Sequence, residues 1–552
     1  MTKQSPEIIE VNSQQVDELL DRAATKLDHE DAELMRRIVE SYSYIADLVG
    51  DKNTTIARLR KLMFGSQSEK SKDILDDEIS GKAEIDLPGD DSSEGSTRIA
   101  ESESEDQEDQ EVTPPGHGRH SSADYRGAEQ IEVKHPTLAA GDSCPECQGT
   151  LYEKPPGVLV RFVGQAPVGA TVYQLQKLRC HTCGKTFTAP APPDVGEEKY
   201  DHTAASMIGL LKYGSGLPFN RLQRLQGNCE IPLAASTQWS IVQAAAFLME
   251  PAYQELIRQA AQGDVLYNDD TTVKILELMG ANGKNTAPDD PHDPSRTGLF
   301  TSGVVATREG VRIALFFSGR QHAGENLSDV LKHRATELQV PIQMCDGLSR
   351  NLPRELETIL TNCLAHGRRK FVELIDRFPQ ECEHVIKAFK IIYYNDKTAR
   401  EQEMSAEQRL AHHQAHSKTT MDDLHTWLQK QLDDKRVEPN SALGEAINYL
   451  LKRWEPLTLF LRQPGAPLDN NICERALKKA ILHRKNSYFY KTRKGALVGD
   501  MYMSLIYTCE LNGVSAFGYL NELQLNAVDV GQNPDAWMPW NYQENLTALN
   551  AA

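Results

Sequence analysis

The apolar residues Leu34, Ile38, Ile45, Leu48, Leu59 and Leu62 fall on the two apolar positions of a heptad, interrupted in the middle by Lys52 and Thr55. That spacing predicts helix across residues 1–70, either as a short coiled coil that pairs protomers or as a hairpin packed on its own chain. The region closes on the basic amphipathic stretch "ARLRKLMFGSQSEKS". Helical spacing returns at "TAASMIGLLKYG", "LPFNRLQRLQG" and "ASTQWSIVQAAAFLME" within residues 201–255. Pro218 reads as a helix start, Gly227 as a stop and Ser236–Thr237 as the next start, which together read as helix-turn-helix with the third helix as groove reader. Three packed helices without DNA satisfy the same pattern.

From Asp264 the period shortens. "DVLYNDD", "GLFTSGVVATRE" and "VRIALFFSG" predict successive strands, "AGENLSDVLKHRA" a helix and "VPIQMCD" a fourth strand. Residues 373–460 turn wholly helical and end at "RQPGAPLDNN". The chain therefore reads as multidomain α+β: a mixed sheet with helices over 256–372, a helical insert over 373–460, a return to the sheet domain over 461–525, and a tail over 526–552.

Composition changes this picture in two places. Residues 71–113 include "ESESEDQEDQE" and predict a disordered acidic linker. The stretch 71–111 alone carries 16 acidic and 3 basic side chains, a net of −13 out of the chain's −19. The window from Glu474 to Lys494 holds eight Lys or Arg against one acid, so the global acidity hides a basic patch. No run of eighteen apolar residues and no N-terminal apolar core occurs, which predicts neither a membrane span nor a secretory signal. Ten cysteines in 552 residues fit a reducing cytoplasm better than a disulfide scaffold.

Four of those cysteines form the pairs "CPEC" and "CHTC", giving Cys144, Cys147, Cys180 and Cys183. Two such knuckles joined by a β-rich segment predict a zinc ribbon over 114–200, in which four thiolates complete a closed tetrahedral Zn2+ site. A redox dithiol is the alternative, and two pairs in one small segment favour zinc. The acids give a second metal chemistry. Phosphoryl transfer assisted by Mg2+ needs carboxylates converging on one or two ions, from strand ends and helix starts. Asp269 or Asp270 ends the first strand, Asp346 ends the fourth, and Glu474 opens the late basic helix. Taken singly, each has a plainer reading: a turn former for the aspartates, and an i,i+4 pair with Lys478 for Glu474.

The order of motifs resembles the transposases of insertion sequence 66. The resemblance rests on "RLRKLMFGSQSEK", "GHGR", the two Cys pairs, "KYGSGLPFNRLQRL", "NDDTTVKIL", "MCDGLSRN", "CLAHGRRKFVEL", "DNNICERALKKAILHRKNSYFY" and "SLIYTCELNGVSAFGYL". It implies a ribonuclease-H-like mixed α/β core interrupted by the helical insert, with Asp, Asp and Glu around two Mg2+ ions and Mn2+ as a substitute. Carried over residue by residue, these fall on Asp269, Asp346 and Glu474, while Asp270 stands where the family has Glu. The implied activity is Mg2+-dependent cleavage at terminal inverted repeats, followed by transfer of the 3′-hydroxyl end into target DNA.

On that reading Arg475, Lys478, Lys479, Arg484 and Lys485 hold the DNA backbone, with His366, Arg368, Arg369 and Lys370 as a second basic group. The implied partners are double-stranded DNA, a second copy of the chain in a dimer and small accessory proteins of the same element. The implied location is the nucleoid of a bacterial cytoplasm. The other reading of the same motifs is a domesticated DNA-binding relative that holds repeats without cutting.

Overall fold

The structure is a computed structural model that describes residues 139, 141–142, 165–179, 186–193, 198–279, 296–353 and 356–551. The helical pattern over 1–70, the acidic linker over 71–113 and all four paired cysteines lie outside the described residues. Those described form two compact units. Unit I holds 340–351 and 357–472; unit II holds the described residues up to 339, 352–353, 356 and those from 473 onward.

Unit II opens with strands β1 (Lys177–Arg179) and β2 (Thr186–Thr188), paired antiparallel with Arg179 opposite Thr186. Helix α1 (His202–Gly209) starts where Asp201 accepts hydrogen bonds from Ala204 N–H (2.9 Å) and Thr203 Oγ1 (2.8 Å), and it runs on as a π-helical turn over Leu210–Gly214. Pro218 stands at the N-cap of α2 (Phe219–Asn228), and α3 (Ala235–Ala260) follows. Both α1 and α2 pack on α3, which buries Val242, Met249, Leu256 and Ala260 completely. Because α3 runs unbroken to Ala260 and also packs on the sheet, the expected domain boundary at 255/256 falls inside one helix.

Strands β3 (Val265–Thr272), β4 (Phe300–Arg308) and β5 (Val311–Gly319) form an antiparallel meander. The β4–β5 turn is the two-residue Glu309–Gly310, both with positive φ (49° and 84°), as a tight primed hairpin demands. Helix α4 (Ala323–Leu331) crosses one face of β3 and β4.

Unit I contains the parallel pair β6 (Ile342–Cys345) and β7 (Ile359–Asn362). After them come α5 (Leu364–Val372), α6 (Pro379–Glu401), α7 (Ala406–His416), α8 (Lys418–Asp433), α9 (Ala442–Lys452) and the short α10 (Trp454–Leu457). Helix α6 buries Cys382, Val385, Phe389, Ile392 and Tyr393 along one stripe. At its far end Asp396 receives Arg409 Nη2 (2.6 Å) and His413 Nε2 (3.3 Å) from α7.

Unit II resumes at Cys473, in the first turn of α11 (Asn471–Ser487), and continues with α12 (Arg493–Leu511) and α13 (Ala516–Leu525). Short helices at Ala527–Gln532 and Tyr542–Ala551 follow, and Trp537 between them is fully buried, with Nε1 donating to Asp529 (2.7 Å). Residues expected as a tail thus fold on to α3.

Helix α12 covers the outer edge of β5 with one side chain per turn. Asp500, Ser504, Thr508 and Asn512 accept from the backbone N–H groups of Ser318 (2.6 Å), Phe316 (3.0 Å), Ala314 (3.0 Å) and Arg312 (3.1 Å). Four helical residues rise about 6 Å and two strand residues about 6.7 Å, so the two periods stay in step over the whole edge. An otherwise open strand edge is thereby satisfied by side chains.

Candidate metal and nucleic-acid site

Asp269 and Asp270 are neighbours on β3 and so face opposite sides of the sheet. Asp270 pairs with Ser302, on the side covered by α4. There Asn326 donates to Ser302 Oγ (2.8 Å), and His322 Nδ1 lies 2.8 Å from Asp270 Oδ2. The Asp270 side chain is only 2% exposed, and Phe300 packs on the imidazole at 4.2 Å between centroids. This carboxylate is engaged in holding α4 to the sheet.

Asp269 pairs with Gly303, on the other side. Helix α11 lies there: Cys473 Sγ donates to the Gly303 carbonyl (3.4 Å), and a Cβ at position 303 would come within 3.1 Å of Leu477 and 3.4 Å of Cys473 Sγ. Gly303 therefore permits a close approach that fixes the first turn of α11 on the strand residue paired with Asp269. Glu474 belongs to that turn. Further along, Arg484 donates to Thr271 Oγ1 (3.1 Å), Thr272 Oγ1 (2.7 Å) and the Thr272 carbonyl, clamping the same helix to the end of β3. A glycine inside a strand pattern is the sequence signal for such an approach, and the sequence reading did not single out Gly303, nor His322 as the partner of Asp270.

Asp346 belongs to unit I and follows β6 directly. Its Oδ1 accepts from Leu348 N–H (3.0 Å) and Asn351 Nδ2 (2.7 Å), which leaves Oδ2 with no hydrogen bond among the described residues. Gly347 takes φ +80°, and a Cβ there would sit 2.9 Å from Arg453 Nε. The Tyr449 hydroxyl donates to the Asp346 carbonyl (3.1 Å), and burial pushes that phenol up to about 12. Arg453 and Lys370 both lie against the Tyr449 ring, at 4.3 and 4.7 Å from its centroid. Hard oxygen donors on short, hydrogen-bonded turns suit Mg2+.

The basic residues divide by exposure. Arg475, Lys478 and Lys485 stand exposed on α11, while Lys479 is ion-paired with Glu510 (2.8 Å). His483, in the middle of the basic run, is buried between Tyr213 and Tyr490, at 5.9 and 4.7 Å between ring centroids. Burial pushes it down to about 3, so it adds no charge to the surface. In unit I, Arg369 and Lys370 are exposed, His366 is half-buried and Arg368 is buried.

The described fold is a mixed α/β protein rich in helix, with acids on strands and helix starts and cations nearby. The family model described as "Transposase IS66 family" matches residues 199–497, more than half of the chain, and the chain belongs to that family. Among curated proteins it is similar to Uncharacterized protein y4hP of Sinorhizobium fredii, 27% identical over 433 residues, covering 73% of this chain and 72% of the relative. It is also similar to Uncharacterized protein y4jD of the same organism, 26% identical, covering 66% of this chain and 71% of the relative. Uncharacterized protein y4qI, again from that organism, is 27% identical and covers 61% of each chain. No solved structure matches. No helix among the described residues is long and apolar enough to cross a membrane.

Proposed function

We propose that this protein is a DNA transposase that cuts at the ends of its own element and joins the freed 3′-hydroxyl to target DNA, with Asp269, Asp346 and Glu474 as its carboxylates. The observation that carries this reading is the delivery of Asp269 and the Glu474 turn to one face of unit II by β3 and α11, with Gly303 allowing the contact. Asp346, with an oxygen left over by its turn, supplies the third carboxylate. An antiparallel meander, a helix and a parallel strand pair supports a ribonuclease-H-like core, interrupted by α6–α10 as an insert.

These three residues would hold two Mg2+ ions, whose chemistry would be charge stabilisation in phosphoryl transfer. The chain's own part is positional. Hydrogen bonds from Leu348 and Asn351 orient Asp346, the Asp270 N–H bond (2.8 Å) orients Asp269 Oδ1, and the Gly303 contact seats Glu474. Arg475, Lys478, Lys479, Arg484 and Lys485, with His366, Arg368, Arg369 and Lys370, form the basic side of this reading. The exposed ones meet phosphates, and the buried or paired ones fix the elements that carry them. Cys144, Cys147, Cys180 and Cys183 hold a structural Zn2+, and the zinc ribbon with the α1–α3 region grips the terminal repeats. Pairing through residues 1–70 and the element's small accessory proteins complete the assembly, acting on DNA in the bacterial cytoplasm.

Substituting the two adjacent aspartates one at a time tests the assignment. Asp269→Asn keeps the acceptor for the Asp270 N–H and removes the charge. It should lower strand transfer by roughly a thousandfold, the several kcal/mol of a lost metal ligand, with DNA binding retained. Asp270→Asn keeps a hydrogen bond to His322 and should cost less than about tenfold. Full joining by Asp269→Asn, or loss confined to Asp270→Asn, would overturn the choice.

A further inference from the structure

Where α11 ends, the left-handed helix-terminating position, which is exposed, is occupied by a large aromatic residue, Tyr488. It takes φ +65°, a left-handed conformation that strains an aromatic residue, and it is 67% exposed. The next residue, Phe489, is 46% exposed.

The turn that carries them is firmly seated on both sides. Tyr488 N–H donates to the Arg484 carbonyl (2.8 Å), closing the helix. Lys212 Nζ donates to Ser487 Oγ (2.6 Å), and Arg221 Nη1 of α2 donates to Asn486 Oδ1 (3.4 Å). Tyr490 is buried, stacks on His483, donates its N–H to the Lys274 carbonyl (2.8 Å) and accepts from Leu276 N–H (2.9 Å). The surroundings thus fix a strained backbone and present two aromatic rings outward.

What surrounds those rings selects their partner. Lys485, Lys491, Arg493 and Lys494 are exposed, and the sequence from Arg475 to Lys494 contains no acid. Arg221, also exposed, joins the same surface from α2. One acid joins this rim, the exposed Glu277, which accepts from Arg493 N–H (2.7 Å). An aromatic pair inside a predominantly cationic rim suits a polyanion whose bases offer flat π-faces, since base–aromatic stacking tolerates any sequence and the phosphates neutralise the cations.

We propose that Tyr488 and Phe489 form a wedge that stacks on unpaired or unstacked bases at the element end, while the surrounding cations hold the adjoining phosphates. This rests on the transposase reading above and adds to it a base-contacting element for opened DNA.

Tyr488→Gly gives an unusually clean test, because glycine adopts the same φ without strain. The full chain with its zinc is titrated, in buffer without Mg2+ and without chelator, against two duplexes copied from the DNA flanking the gene. One is fully paired, and the other carries a short unpaired bubble at the element terminus. The wild type should bind the bubble at least about tenfold more tightly, as one stacked base predicts. Tyr488→Gly and Phe489→Ala should lose that preference and keep the affinity for paired DNA, with the melting temperature of Tyr488→Gly unchanged or raised. Equal binding of both duplexes by all three proteins would overturn the wedge and leave the transposase reading standing. Binding of neither duplex by the wild type would overturn both. A lowered melting temperature in Tyr488→Gly would mark a packing role, and an altered solution mass with the bubble preference intact would mark a protein interface; either result overturns the wedge.

Discussion

Asp500 is buried where α12 meets β5, and its two oxygens accept from Ser318 N–H (2.6 Å) and Ser318 Oγ (2.7 Å). Burial pushes its carboxyl up to about 7, and the two hydrogen bonds only partly oppose this. A carboxyl raised in the folded state binds its proton more tightly there than in the unfolded chain. Its stabilising contribution is therefore complete below about pH 4, the ordinary value, and is lost as the pH rises through about 7. Asp500→Asn removes the titrating group; its Oδ1 can accept from Ser318 N–H and its Nδ2 donate to Ser318 Oγ, whose own proton then goes to Thr301 Oγ1 (2.7 Å). Relative to the wild type it should gain stability, on the order of a few kcal/mol, between pH 5 and pH 8, measured by urea unfolding. Parallel pH profiles for the two proteins would show that Asp500 carries no such shift. Residues of this kind are hard to read from sequence, because "VGDMYM" gives no sign that its aspartate is sealed against a strand edge. The adjacent pair Asp269–Asp270 was different. Strand alternation already set the two on opposite faces, and only their partners, Gly303 and His322, waited for the fold.

At the scale of elements, most of the order was legible. The turn formers of "LDNN" predict a helix start and α11 begins at Asn471; Pro218 marks α2 and the period-two runs mark β3–β5. The end of α3 was not legible. The segment read as helical, "ASTQWSIVQAAAFLME", stops at Glu250, yet the helix continues through Pro251 because Ala252, Tyr253 and Leu256 bury against the unit's core. Trp537 likewise makes structure of a stretch whose composition resembles a tail. The short β1–β2 pair has a bearing on the proposed zinc ribbon, since the residues between its strands, 180–185, include Cys180 and Cys183 in sequence. Two knuckles holding one ion predict about one zinc per chain by elemental analysis, lost together with the local fold in Cys144→Ser. Full zinc content in that variant would remove Cys144 from the ligand set.

For the whole molecule, charge and acids tell one story. Most of the net −19 lies in residues outside the described fold, while α11 and the turn after it present a cationic surface beside Glu474. Membership of the IS66 transposase family explains why a chain so acidic overall carries such a surface. The proposed role of Asp269, Asp346 and Glu474 is that of metal-binding carboxylates. Strand transfer tests that most directly. A pre-cleaved element end, a plasmid target and Mg2+ are combined with the wild type or with Glu474→Gln, which keeps the side chain's shape and removes its charge. The wild type should join the end to the plasmid, and the variant should fall by roughly a thousandfold while still shifting the DNA in a gel. Joining at the wild-type rate by Glu474→Gln would contradict the metal-carboxylate mechanism.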